Sequence, residues 1–166
     1  LDDRRRHQHV RFSGQEALIV FENVFVPWDR VFLHGETDFA AMLVERFTCY
    51  HRRSYVCKTG VGDVLIGAAA TAAEHNGVEG ASHVRDKLVQ MTHLNETVYG
   101  VGLAASHQGR PMASGVMLPD EMLANVCKHH VTRFPFEIAR LAQDLAGGLV
   151  GTLPSERDFA NPETGP

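Results

Sequence analysis

The 166-residue sequence has only three cysteines, Cys49, Cys57 and Cys127, and a single tryptophan. An odd, small cysteine count in a chain of this size argues against a secreted disulfide framework and for a reducing, cytoplasmic compartment. No apolar run approaches the roughly 20 residues that cross a bilayer, and the first residues lack a signal-peptide pattern. There is no surplus of positive charge either. The net charge is −4, so nothing global favours nucleic acid or an anionic membrane as a partner. The basic opening over residues 4–9 is short and reads as a solvated terminus or strand edge. Internal repeats, low-complexity tracts and a His-Glu-x-x-His metal motif are all missing. The sequence starts at Leu1 inside a charged segment and stops in the loop Asn161-Pro-Glu-Thr-Gly-Pro166. Both ends look cut, and the expectation is a piece of a larger polypeptide.

What is present suits a soluble globular core: 44% hydrophobic against 22% charged residues, the balance of an ordinary domain. Residues 16–27 are rich in β-branched and aromatic side chains, with Asn23 and Pro27 as punctuation, and read as strand, turn, short strand, extended on to Leu33. Residues 39–47 carry apolar side chains at three- and four-residue spacing, with Asp38 as an N-cap. Residues 64–73 are small or apolar and helix-forming, a stretch expected to be buried on most sides, closed by His75-Asn-Gly77. A second long helix is expected over 82–105 with Val84, Leu88, Met91, Leu94 and Val98 as its stripe. Residues 109–115 read as loop. Asp120 opens a third helix, which Pro135 should kink before it resumes over 138–145; Gly147-Gly148 ends it. The expected fold is mainly α, with a strand-rich lead-in over 1–35 and three long helices over 36–166. Such helices usually want a fourth, from elsewhere in the chain or from another subunit.

Most of the chemistry is concentrated between Glu45 and Asp63. On an α-helix His51, Tyr55 and Lys58 share a face at i, i+4 and i+7, while Cys57 at i+6 is turned about 100° from it. An imidazole, a phenol and an ammonium beside a thiol suit acid–base chemistry or the holding of an anionic or metal cofactor. The same residues also suit a hydrogen-bonded core histidine, a capped tyrosine and a snorkelling lysine, and spacing alone leaves both open. Cys49 and Cys127 read as core residues. His129 and His130 diverge on a helix. Gly147-Gly148 would allow close approach of a cofactor to the backbone, or serve helix packing.

Longer motifs narrow the field. Ala17-Leu-Ile-Val-Phe-Glu-Asn-Val-Phe-Val-Pro-Trp-Asp-Arg-Val-Phe-Leu33 resembles the strand that leads into the helical domain of the 4-hydroxyphenylacetate 3-hydroxylase family, which shares the acyl-CoA dehydrogenase architecture. Val44-Glu-Arg-Phe, Tyr50-His-Arg, Gly60-Val-Gly-Asp-Val-Leu-Ile-Gly, Ala81-Ser-His-Val-Arg-Asp-Lys87, His93-Leu-Asn-Glu-Thr97, Leu123-Ala-Asn-Val-Cys-Lys128, Thr132-Arg-Phe-Pro-Phe-Glu-Ile-Ala-Arg140 and Leu153-Pro-Ser-Glu156 are similar to the family's 4-hydroxybutyryl-CoA dehydratase branch. The match runs from about Glu16 to Asp158.

The resemblance implies the tail of a middle β domain over 1–35 and part of a C-terminal helical bundle over 36–166. It implies FAD and a [4Fe-4S] cluster in one active site, the cluster held by three Cys and one His. By position His51 is the imidazole ligand and Cys57 one thiolate, the other two lying outside this chain. Tyr55, Lys58 and Glu16 match residues placed around substrate and flavin, and a further catalytic Glu would lie past residue 166. The implied reaction takes 4-hydroxybutyryl-CoA to crotonyl-CoA by a radical enolate route, with vinylacetyl-CoA isomerisation, in a cytoplasmic homotetramer of 4-hydroxybutyrate fermentation. The rival is a flavin-dependent aromatic hydroxylase of the same family; a helical piece without activity is a third reading. One departure stands out. The family pattern has six residues between His and Cys, with a Gly-Gly before the Cys; here five intervene, and Val56 stands where the pair would be. A bulge or helix break near Gly60 is then required to bring the two onto one face.

Overall fold

The computed structural model describes residues 17–148 and 156–163. Residues 17–36 and 156–163 belong to one compact unit and residues 37–148 to another. Glu16 and the basic opening lie outside the described residues.

In the first unit, residues 17–33 form no hydrogen-bonded strand. Backbone at Pro27 and Val31 is extended, but Trp28–Arg30 close a 3-10 turn and Asn23 sits at φ +53°. β-branched composition marks a side chain suited to a pleated surface, not a strand in itself; a ladder needs a neighbouring strand, and none pairs here among the described residues. Trp28 stacks edge-on with His34, centroids 5.1 Å apart. A short helix, Glu156–Phe159, follows near the other end.

The second unit is helical. After a 3-10 turn at Thr37–Phe39 come α1 (Ala40–Ser54), a 3-10 turn at Tyr55–Cys57, and α2 (Lys58–His75). Then follow α3 (Ser82–His107), the two-residue strands β1 (Arg110–Pro111) and β2 (Met117–Leu118), α4 (Glu121–Val131) and α5 (Phe134–Leu145). Asp38 does not cap α1, because it lies inside the preceding 3-10 turn and the N-cap is Phe39. Asp120 does cap α4, accepting from the Leu123 N–H at 2.8 Å. The expected loop at 109–115 contains one arm of a small antiparallel hairpin, Arg110 opposite Leu118. Nor does Pro135 kink a continuous helix. The helix ends at Val131, and Pro135 sits in the first turn of α5, where its missing N–H has no partner to lose.

Two apolar clusters hold the bundle. One joins Ala69 and Ala73 of α2, Val84 and Met91 of α3, and Ile138, Leu141 and Leu145 of α5. Fully buried side chains such as Met91 and Ile138 contribute about 1.5–3 kcal/mol each. The other joins Val98, Cys127 and Val131 to Tyr55, Val56, Val101 and Phe134. The far sides of α1 and of the start of α2 are uncovered. Phe39, Leu43, Phe47, Val61 and Val64 are all more than half exposed, so residues 64–73 are buried on one side only. The helical run Thr37–His75, 3-10 turns included, is long enough, and over 18 residues apolar enough (mean hydropathy 1.2), to cross a membrane by length and composition alone. Its buried Gly62, Ala69 and Ala73 show that it also serves as a core helix of the bundle.

Candidate active site at the α1–α2 junction

The residues singled out by their chemistry converge on the 3-10 turn between α1 and α2. His51 is stacked on Phe47, centroids 5.1 Å apart, and meets Tyr55 edge-on at 4.8 Å. This is the i, i+4 ladder the helical spacing anticipates. Tyr55 is half-buried, while His51, Cys57 and Lys58 are exposed. Cys57 is therefore not the small buried hydrophobe that a lone cysteine usually is. Cys49 and Cys127 are buried, and burial is the main force pushing both thiols up; both stay protonated core residues.

The turn is clamped at both ends. Upstream, the Arg53 Nε–H donates to Ser106 Oγ on α3 and Arg52 bonds Asn125 on α4. Val56 fills a notch at Gly102, where an added Cβ would lie 2.7 Å from the valine Cβ. Downstream, the buried Asn95 donates from Nδ2 to Thr59 O at 3.1 Å and to Asp63 Oδ1 at 2.8 Å. Six residue steps must bridge Arg53 and Thr59, and tightening three of them into a 3-10 turn lengthens the span from about 9 to about 10.5 Å. Two hydroxyls mark the turn's edges, Ser54 Oγ donating to His51 O and Thr59 Oγ1 to Val56 O. Lys58 N–H closes it on Tyr55 O. The break lies at 55–57, not near Gly60, which sits inside α2.

A group that sequence reasoning missed completes the picture. Lys128 on α4 lies over the Tyr55 ring, Nζ 3.6 Å from the centroid; 73 residues separate the two, and no local pattern links them. Among the described residues no three His, Cys, Asp or Glu side chains assemble as a metal would require. Gly147 and Gly148 cap α5. Their φ angles are +73° and +74°, and their N–H groups bond Asp144 O and Gln143 O, the Schellman arrangement that favours glycine. That accounts for the pair as a helix stop.

Clefts lie elsewhere in this unit: about 400 Å³ beside Arg110, Asp120 and Asn125, about 660 Å³ beside Met42, Glu45 and Arg110, and an apolar groove of about 220 Å³ between Leu65, Ala69 and Ala142. His51, Tyr55, Cys57 and Lys58 line none of these three. They present an open flank.

Known proteins share this arrangement of sequence and fold. The chain is 63% identical over 150 residues to the 4-hydroxybutyryl-CoA dehydratase/vinylacetyl-CoA-Δ-isomerase of Clostridium aminobutyricum, covering 90% of this chain and 31% of that protein. Among solved structures, an oxygen-tolerant archaeal 4-hydroxybutyryl-CoA dehydratase from N. maritimus superposes with a TM-score of 0.81 at 70% identity, over 87% of this chain and 29% of that one. The oxygenase component of 4-hydroxyphenylacetate 3-monooxygenase from Thermus thermophilus is more distant, at 26% identity over 92% of this chain and 32% of that protein. The chain thus spans about a third of the length of the curated relatives it matches. A family profile described as 4-hydroxyphenylacetate 3-hydroxylase C terminal matches residues 40–166, and the chain belongs to that family.

Proposed function

We propose that this chain is part of a dehydratase that converts 4-hydroxybutyryl-CoA to crotonyl-CoA and water and isomerises vinylacetyl-CoA, and that the α1–α2 junction is its contribution to the active site. The contrast between 63% identity to a dehydratase and 26% to an aromatic hydroxylase supports the reading over its rival. A homotetramer in the cytoplasm belongs to the same reading.

The observation that carries it is the 3-10 turn. Seven α-helical steps, the spacing of the family's His and Cys, separate two residues by about 10.5 Å along the axis and about 20° around it. Six α-helical steps would give about 9 Å and about 120°. Three α-helical and three 3-10 steps, the path from His51 to Cys57, give about 10.5 Å and about 60°. The tight turn thus recovers the rise lost with the missing residue and more than half of the angular error. His51 and Cys57 are both exposed and the thiol is free, so the donor set suits one edge of an iron–sulfur cluster, with two thiolates required from outside the described residues. Lys58 is the side chain here that would meet a flavin; the exposed Gly147-Gly148 turn would offer a flavin only close backbone approach, since its N–H groups are taken up in closing α5.

When bound, the flavin supplies a one-electron sink and the cluster a Lewis acid for the departing hydroxyl. The chain's own residues do the rest. His51, or a neighbour, takes the β-proton that no adjacent carbonyl acidifies. Tyr55 Oη and Lys58 Nζ donate hydrogen bonds to the negative charge that develops on the thioester oxygen. Glu16 is assigned to the substrate by its place in the sequence alone.

The test is an anaerobic visible spectrum with iron and flavin assays of the full-length protein, alongside conversion of 4-hydroxybutyryl-CoA. Four irons and bound FAD per chain, with crotonyl-CoA formed, are expected. FAD without iron and no crotonyl-CoA would overturn the reading and return the hydroxylase to first place.

A further inference from the structure

Tyr55 is the one member of the candidate set whose ring is held on several sides. It packs against the buried cluster of Val98, Cys127 and Val131, His51 meets it edge-on, and the Lys128 ammonium covers a face. Lys128 is half-buried and, among the described residues, has no carboxylate partner; Lys87, by contrast, pairs with Asp144 at 2.6 Å. An ammonium that gives up part of its hydration without a counter-ion is held by the electron-rich ring face. In return it fixes the ring plane and lays positive charge beside the phenol.

We propose that Lys128 is a positioning residue of the active site: it orients Tyr55 and strengthens the phenol as a hydrogen-bond donor to an oxygen that gains negative charge, the thioester oxygen of an acyl-CoA on the reading above. The inference rests on that reading for the identity of the oxygen, and on the ring contact alone for the coupling of the two residues. It also gives a reason for the last residue of the Leu123–Lys128 segment, which helix packing does not require: Ala124 and Cys127 face the core, and Lys128 turns toward the junction.

In the full-length enzyme, Lys128→Met keeps a chain of similar length over the ring and removes the charge. Expected is a fall in kcat of about tenfold with KM little changed, recovery in Lys128→Arg, and an unchanged thermal midpoint. In a Tyr55→Phe background the same change should cost nothing more, because the phenol it serves is gone. A loss in that background equal to the loss in wild type, or an unaltered kcat, overturns the proposal. Should wild type turn over neither 4-hydroxybutyryl-CoA nor vinylacetyl-CoA, the substrate reading fails by itself. The coupling is then decided by 3-fluorotyrosine placed at position 55: its 19F resonance should move in Lys128→Met and stay near its wild-type position in Lys128→Arg, and an unmoved resonance in Lys128→Met rejects it.

Discussion

Asn95 Oδ1 occupies the space that a side chain on Gly62 would need. A Cβ built at Gly62 lies 2.0 Å from that oxygen and 2.6 Å from the amide carbon, so α2 and α3 approach as closely as they do only because residue 62 has no side chain. The same amide holds Thr59 O and Asp63 Oδ1. One buried polar group thereby sets both the spacing of two helices and the position at which α2 leaves the turn at Tyr55–Cys57.

Gly62→Ala should therefore destabilise the bundle by about 1–3 kcal/mol, the usual cost of overpacking. Asn95→Ala should cost about as much by leaving Thr59 O and Asp63 without their donor. Combined, the two should cost at least about 1 kcal/mol less than their sum, since the second removes the clash created by the first. Urea unfolding of the four variants closes the cycle. Strict additivity would mean that the two residues are not coupled.

Thiol reactivity offers a second check. Cys57 is exposed, while Cys49 and Cys127 are buried, with both thiols pushed up. The metal-free chain should give one thiol that reacts rapidly with a chromogenic disulfide and two that react only in denaturant. Three rapid thiols would contradict the packing of the second core cluster.

His130 stacks on Phe134, centroids 4.5 Å apart, and its pKa is lowered by burial first, then by His129 and Arg133. With a folded-state pKa below the unfolded 6.5, the unfolded chain takes up the proton first on acidification. Stability then rises with pH through this window and falls as pH drops below about 6.5. Replacing His130 with Phe keeps the stack and removes the proton site. Between pH 7.5 and 5.5 its thermal midpoint should decline less than that of wild type; parallel declines would remove His130 as the cause.

The helices were legible because their stripes are periodic. Val84, Met91 and Val98, and then Ile138, Leu141 and Leu145, recur at helical intervals and are buried. Asp120 and Gly147-Gly148 punctuate them by mechanisms that act within a few residues. What escaped the sequence depends on distant partners. Pro135 has the same composition signal in a kink as in a first turn, and the difference lies in where α4 stops. Residues 17–33 have strand composition, yet a strand is a relation between two segments. Lys128 and Tyr55 are joined only by folding. The location of the helix break was missed for a related reason: it is set by clamps on α3, at Ser106 and Asn95, and on α4, at Asn125, rather than by the glycines nearby.

Those clamps make a final prediction about the turn itself. If it is tight because six steps must span a distance suited to seven, then a glycine inserted between Val56 and Cys57 should let the segment relax to ordinary α-helix. Val56 would keep its place at Gly102, and Arg53 and Thr59 would keep their partners. The insertion should cost no more than about 1 kcal/mol, the penalty of a glycine within a helix. In the full-length protein iron content should be unchanged, because His51 and Cys57 would remain about 10.5 Å apart along the axis. Deleting Val56 instead shortens the bridge further and empties the Gly102 notch, and should unfold the junction. An insertion as damaging as the deletion would mean that the 3-10 turn is required for its own sake, not as compensation for a missing residue.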